Sequence, residues 1–400
     1  MEYLIKDYIR KIIEVGANVK EGESLVIYMP EEISEIEKII LELKDEYKIK
    51  DIVFIKQNYE KLYNFLITNP TDIEIYNYIK EYPTLKHPTC IKEIYFDPLT
   101  EHCPYYTKLL SEILDKYNRY LEIDFSKNKK LYEQIPDGSC ILTICPSRAW
   151  SNELFGKESK INELWSLLIN TIPSIDELKK ITSKRQEIAK YLNELKINSL
   201  DFYTDKGTDF HIKLARASKW MTLPTETKSG KIFANFPSYE IYTAPNYLSA
   251  EGKIVLTKPS FLYGGTRIDE AEIEFSKGKI ISCNSNNDSW NNIVNHKPNN
   301  LYRIGEVALV SCNNPIYKLN QTFNQTILDE NTSCHIALGN SYEECINIPE
   351  TLLEFNGKKY YRFNDSKYHQ DLTIGNESIN VEANIRGKTK TLLKNGKWVL

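Results

Sequence analysis

No stretch of this 400-residue chain stays apolar long enough to cross a bilayer, which takes about 20 such residues. The N-terminal segment, MEYLIKDYIRKIIEVGANVK, sets lysines, arginine and acids between apolar residues at helical spacing and lacks the unbroken core of a signal peptide. The expectation is a cytoplasmic protein with no membrane partner. Positive charge is not in excess either. Lys and Arg number 51 against 55 for Asp and Glu, a net charge of −4, so no broad cationic field exists to displace counterions from a polyanion, and nucleic acid is excluded as the main partner. Eight cysteines would permit disulfides, but Cys90, Cys103, Cys140, Cys145, Cys283, Cys312, Cys334 and Cys345 form no CxxC pair and lie far apart, which argues for reduced, mostly buried thiols. HExxH is absent, excluding the usual single-zinc protease helix. Gly264-Gly265 and Gly387-Lys-Thr-Lys lack the spacing of a phosphate-binding loop and read as turns, so no nucleotide is expected.

What is present is an ordinary folded composition, 41% hydrophobic and 26% charged, over a length that suits about two domains. The first half alternates periods. A helical stretch near 3–14 is followed by a turn, the apolar run Ser24–Met29, a helical stretch near 31–46 and the run Asp51–Lys56; later runs at Glu93–Phe96, Tyr120–Phe125 and Ser139–Cys145 are again separated by helix-like segments. That order yields a largely parallel sheet covered by helices. A charged helical stretch near 174–195 then precedes short alternating runs broken by Gly, Pro and Asn, among them Ser199–Tyr203, Phe210–Leu214, Lys231–Asn235, Lys253–Lys258, Ala271–Phe275, Lys279–Ser282, Leu372–Ile374 and Ser378–Asn384. The fold class expected is α/β: an N-terminal domain, 1–195, with a helix-covered mostly parallel sheet, and a β-rich α+β domain, 196–400.

Histidine is scarce, with six in all, and two of them sit beside acids. In Tyr368-His369-Gln370-Asp371, residues 369 and 371 of an extended chain point to one face and present an imidazole and a carboxylate to a common centre. The same spacing also serves a surface hydrogen bond. In Leu328-Asp329-Glu330-Asn331-Thr332-Ser333-Cys334-His335, two acids precede a helix start expected at Asn331 or Thr332, which puts His335 in the first turns. Acids there also simply complement a helix dipole. Tyr342, seven residues past His335, then falls on the same helical face.

Four blocks resemble, in order and spacing, those of the aminopeptidase T family of metallopeptidases: Phe236-Pro-Ser-Tyr-Glu240-Ile-Tyr-Thr-Ala-Pro245, Gly305-Glu306-Val-Ala-Leu309, Asp329-Glu-Asn331 through His335-Ile-Ala-Leu-Gly339, and His369-Gln-Asp371-Leu-Thr-Ile-Gly375. Weaker likeness extends to the turn from Gly16 to Gly22 and to Gly207-Thr-Asp209. The resemblance implies that Glu240, Glu306, His335, His369 and Asp371 bind two neighbouring divalent ions (zinc, cobalt or manganese), with Glu306 bridging them and acting in catalysis, Glu330 as a further ligand, and Tyr342 as the catalytic tyrosine. It also implies a homodimer. Glu240 and Glu306 do not stand out locally, since an isolated Glu in a β-rich region is ordinarily solvated. Carboxylates mixed with imidazoles suit zinc, manganese or cobalt, and a paired site suits amide hydrolysis.

The sequence departs from the family pattern at Tyr239, where an acidic residue or Gly is usual, and along Cys283–Asn300, which carries Trp290 and His296. Tyr239 is expected to narrow the pocket or to shift side-chain preference, and His296 to be a loop residue. The function implied is a metal-dependent aminopeptidase acting on short peptides with a free N-terminus, whose amine Asp329 and Glu330 are placed to meet. Two alternatives stay open: a peptidase or amidase dedicated to one peptide, and a catalytically silent metal-binding dimer that recognises peptides.

Overall fold

The computed structural model describes residues 1–31, 33–57, 91–97, 140–156, 161–227, 230–262, 266–291, 302–346, 352–355, 358–361, 363–366 and 369–400, with isolated positions between 65 and 77. The run expected at Tyr120–Phe125 lies outside the described residues, as does His296. Chain contacts group into two compact units, Met1–Lys179 with Leu223–Ser238, and Lys180–Thr222 with Tyr239–Leu400. Texture alone suggested one boundary near 195 and gave no sign of the excursion at 223–238.

The first unit is built on strands β1 (Ser24–Pro30), β2 (Ile52–Gln57), β3 (Ile91–Asp97) and β4 (Cys140–Ile144), joined in parallel in the order β2-β1-β3-β4 and completed by the short strand Asn235–Phe236. Helices α1 (Glu2–Lys11) and α2 (Ser34–Glu46) supply one apolar stripe each: Ile5, Tyr8 and Ile9 from α1, and Ile36, Ile39, Ile40 and Leu43 from α2, all buried. Spacings of three and four put those residues on one face, and burial of each isoleucine contributes about 1.5–3 kcal/mol relative to exposure. The Tyr8 ring meets Trp165 edge-on at 5.7 Å, and its hydroxyl donates to the Ile144 carbonyl, which satisfies the one polar atom it buries.

Among the described residues the second unit holds two large antiparallel sheets, beside the two-stranded ribbons Ser260–Leu262 with Thr266–Ile268 and Leu352–Phe355 with Lys358–Tyr361. The larger has eight strands, formed by β5 (Ser199–Tyr203), β6 (Asp209–Lys213), β8 (Glu251–Val255), β9 (Ala271–Ser276), β10 (Lys279–Ser285), β14 (Asn380–Ile385), β15 (Lys388–Lys394) and β16 (Lys397–Trp398). The smaller has four, in the order β7 (Ile241–Thr243), β11 (Ile304–Leu309), β12 (His335–Gly339), β13 (His369–Thr373). Strand alternation gives each sheet an apolar face, and the two faces form one cluster, with Leu200, Phe202, Phe210, Ile212 and Ile273 on one side and Ile241, Val307, Leu309, Ile336, Leu338 and Leu372 on the other. The α3 helix, Ile175–Leu195, adds Ile188, Ala189 and Leu192 to it. The opposite face of the smaller sheet carries the polar residues considered next. Among the described residues no helix is long and apolar enough to cross a membrane.

Candidate metal centre

On β13 the two-residue period acts as the sequence suggested. His369 and Asp371 share a face, with Nε2 and Oδ1 3.3 Å apart. The neighbouring strand β12 pairs Gly339 with His369 and Ala337 with Asp371, which brings His335 to the same side of the sheet. His335 therefore reaches the site from a strand. The helix expected from Asn331 onward is instead a short helix that ends there, Thr326–Glu330, with Asn331 as its C-terminal cap. The polar residues taken as start signals act at its end: Asn331 Nδ2 donates to the Ile327 carbonyl and Thr332 Oγ1 to that of Asp329, after which the chain enters the β ladder. Tyr342 is consequently not on a helix face with His335. It precedes the short turn Glu343–Cys345, yet its hydroxyl lies 3.4 Å from His369 Nε2 and its ring packs on those of His369 and Tyr242.

Glu306 reaches this face through a local irregularity. Ile304 pairs with Leu338 and belongs to the apolar cluster, so in a regular strand residue 306 would point into that core too. The register instead shifts: Glu306 pairs with Ala337, leaving Gly305 as an extra residue. The bulge turns Glu306 to the polar side, and Val307 and Leu309 resume the core side. A side chain at Gly305 would collide with the carbonyl oxygens of Gly339 and Asn340, so only glycine fits.

Glu240 immediately precedes β7. Its carbonyl accepts hydrogen bonds from Thr222 Oγ1 at 2.7 Å and Arg185 Nη1 at 3.3 Å, while its carboxylate lies 3.3 Å from His335 Nε2. Tyr239, expected to narrow the pocket, is buried with its ring 6.0 Å from the Arg185 guanidinium, and its N–H donates to Asn331 Oδ1. Asp329 does not present free oxygens to a ligand: they accept from the Phe323 and Gln325 N–H groups at 3.0 Å each. Trp290 is buried on a short helical turn, Asp288–Asn291.

Among the described residues two groups of donor atoms result. Glu240, Glu306 and His335 offer atoms all within 4.8 Å of one another, as do Glu306, His369 and Asp371, and Glu306 belongs to both. Both imidazoles are oriented by backbone carbonyls, His335 Nδ1 on Glu330 and His369 Nδ1 on Asn340, each at 2.9 Å, which leaves both Nε2 atoms facing the carboxylates. Glu330 is buried and hydrogen-bonded to Asp371 but is in neither group.

The electrostatics of this face suit a cation. Burial, reinforced by the surrounding acids, pushes Glu330 well above the usual carboxylate range, and burial also raises Glu306 against the pull of His369. Burial alone would lower His335, but its hydrogen bond and attraction to Glu240, with Asp371 and Glu306 beyond, carry it up to about 9. His369 is likewise lifted against burial by Asp371 and Glu306. Asp371 is lowered by His369 despite its own burial. The acids thus hold protons on their neighbours to offset crowded negative charge, and a divalent ion would replace those protons. Carboxylates with two imidazole nitrogens are a donor set that zinc, manganese and cobalt accept.

The model of the thermophilic metalloprotease family (M29) matches residues 1–398. The chain belongs to that family. Among relatives of this M29 chain, aminopeptidase AmpS of Bacillus subtilis (strain 168) is 25% identical over 433 residues, covering 98% of each protein. Aminopeptidase 2 of Geobacillus stearothermophilus is 26% identical over 414 residues, covering 98% of this chain and 96% of its own length. The fold of the M29 chain is similar to that of wild-type AmpT from Thermus thermophilus, with a TM-score of 0.77 at 22% identity over 100% of this chain and 98% of the other. Local sequence pattern does not mark Glu240 or Glu306, nor Arg185 and Thr222, which hold the Glu240 carbonyl, nor Asn340, whose carbonyl orients His369. The pairing of a Gly with the Glu that follows it at 305–306 is the one local signal that marks the bulge.

Proposed function

We propose that this M29 enzyme is a metal-dependent aminopeptidase that removes N-terminal residues from short peptides, using two divalent ions that share Glu306. The observation that carries the reading is the membership of Glu306 in both donor groups. Glu240 and His335 would complete one position, His369 and Asp371 the other, with Glu330 a further ligand beside Asp371. The family match and the aminopeptidase names of the two full-length relatives support the activity. Zinc, cobalt or manganese bound there would supply Lewis acidity, lowering the pKa of water from about 15.7 to about 7 and polarising the scissile carbonyl.

The chain's own residues do the rest. Tyr342, its phenol held beside His369 and raised well above its ordinary value by burial and by Glu306, stays protonated at neutral pH and donates to the oxygen on which negative charge grows. Glu330, whose affinity for a proton is raised by burial and by the neighbouring acids, would lose that proton on ligation, and its carboxylate is then the acid left to meet the substrate amine, since the Asp329 oxygens accept from backbone N–H groups. The protein acts in this reading as a cytoplasmic homodimer. The test is metal quantification together with hydrolysis of amino-acid amides and dipeptides, free and N-acetylated. Turnover of the free peptides alone, with close to two ions per chain, is expected; equal cleavage of acetylated peptides would rule out an aminopeptidase.

A further inference from the structure

The geometry points to Ser341 and Asn364 as positioning residues for the metal centre, acting through the Gly305 bulge. The inference rests on the reading of Glu306 as the shared ligand. A bulge that turns one side chain to the opposite face of a sheet leaves backbone groups out of register, and these need other partners or the strand relaxes to regular pairing. Ser341 and Asn364 are those partners. Ser341 Oγ donates to the Gly305 carbonyl at 2.6 Å, the carbonyl of the extra residue itself. Asn364 Nδ2 donates to the carbonyls of Gly339 and Arg303, which flank the bulge on the two paired strands. The two residues also bind each other: Ser341 N–H donates to the Asn364 carbonyl at 2.9 Å, and Asn364 N–H to Ser341 Oγ at 3.2 Å. Both are buried, at 1% and 0% exposure, so water does not compete for these bonds.

The alternative register is what the clamp opposes. Without the bulge, Glu306 would take the phase of Ile304 and face the apolar cluster, and both donor groups would lose the same ligand at once. The turn that carries Ser341 also contains Asn340, whose carbonyl orients His369. A loosened clamp therefore acts on the metal centre as a whole, unlike a change at His335 or Asp371, which touches one group. Neither Ser341 nor Asn364 belongs to either donor group.

The experiment is metal titration of the full chain with zinc and with manganese, followed by inductively coupled plasma analysis and by melting curves of the metal-free forms. Ser341→Ala removes the donor to Gly305, Asn364→Asp keeps the shape of the side chain without its N–H donors, and Ser341→Thr restores the hydroxyl. Thr257→Val, which deletes a hydroxyl bonded to the Gly375 carbonyl in the same unit, controls for general destabilisation. Ser341→Ala and Asn364→Asp are expected to bind both ions about 10- to 100-fold more weakly, the loss typical of outer partners of metal ligands, while Ser341→Thr and Thr257→Val bind as wild type does. Wild-type binding of two ions with unchanged affinity in Ser341→Ala would overturn the inference alone. Fewer than two ions in wild type would overturn the shared-ligand reading and the inference with it. Unfolding of both variants without recovery of melting temperature on metal addition would assign the pair to stability and overturn the inference as well.

Discussion

The two donor groups share Glu306 but differ in depth. Glu240, Glu306 and His335 are buried throughout, and the His335 side chain is 1% exposed; in the other group the His369 side chain is 22% exposed and Asp371 13%. His335 rises from the middle of the four-stranded sheet, flanked by pairing on both sides, whereas His369 begins an edge strand and has Tyr342 against it. One donor group is thus enclosed and the other more accessible; if each holds an ion, the enclosed one is expected to anchor and the accessible one to exchange.

The largest effect is expected where the comparison collapses, at the shared residue. Glu306→Gln keeps the size of the side chain but removes the charge, and should leave the chain without bound metal and its hydrolysis at background, read by elemental analysis and by turnover. Tyr342→Phe comes next. It removes the hydroxyl that lies 3.4 Å from His369 Nε2, so kcat should fall about a hundredfold, as for loss of one oxyanion donor, with metal content and melting temperature near wild type. Turnover within a few-fold of wild type would make Tyr342 a packing residue.

A smaller and more discriminating effect concerns the order of metal loss. Chelation should remove one ion early, from the His369 side, and the second slowly, and His369→Ala should retain close to one ion per chain. Simultaneous loss of both in wild type would erase the distinction between the positions. The subtlest effect is on pH. His335, held up to about 9, and the raised carboxyls of Glu306 and Glu330 all bind protons more tightly folded than unfolded. His335 therefore contributes stability that is complete below about 6.5, its unfolded value, and lost as the pH rises through about 9; the raised acids, whose unfolded value is about 4.3, change stability in the same direction. The metal-free protein should melt at lower temperature as pH rises across this window, while metal affinity increases, because ligation releases those protons. Thermal melts and calorimetry in buffers of different ionisation heat check both signs.

The same comparison separates what the sequence reveals from what it hides. His369-Gln-Asp371 was legible because alternation along a strand is strict, and the parallel sheet of the first unit because its apolar runs alternate with amphipathic helices. His335 was expected on a helix, since Asn331, Thr332 and Ser333 are residues that start helices as well as end them; tertiary pairing with the flanking strands decided for a strand. Tyr342 is near the centre, but not for the helical spacing that suggested it. Glu306 was invisible to local pattern because a bulge breaks the two-residue period, and Glu240 because its place is set by Arg185 and Thr222, far off in sequence. The resemblance to known metallopeptidases supplied both residues where periodicity gave no signal.

Two ions are expected to share one carboxylate, that of Glu306. Anomalous diffraction from crystals of the wild-type enzyme loaded with zinc or cobalt tests it most directly. Two peaks are expected, one beside Glu240 and His335 and one beside His369 and Asp371, with Glu306 between them; a single peak, or two peaks of which Glu306 touches only one, would contradict it.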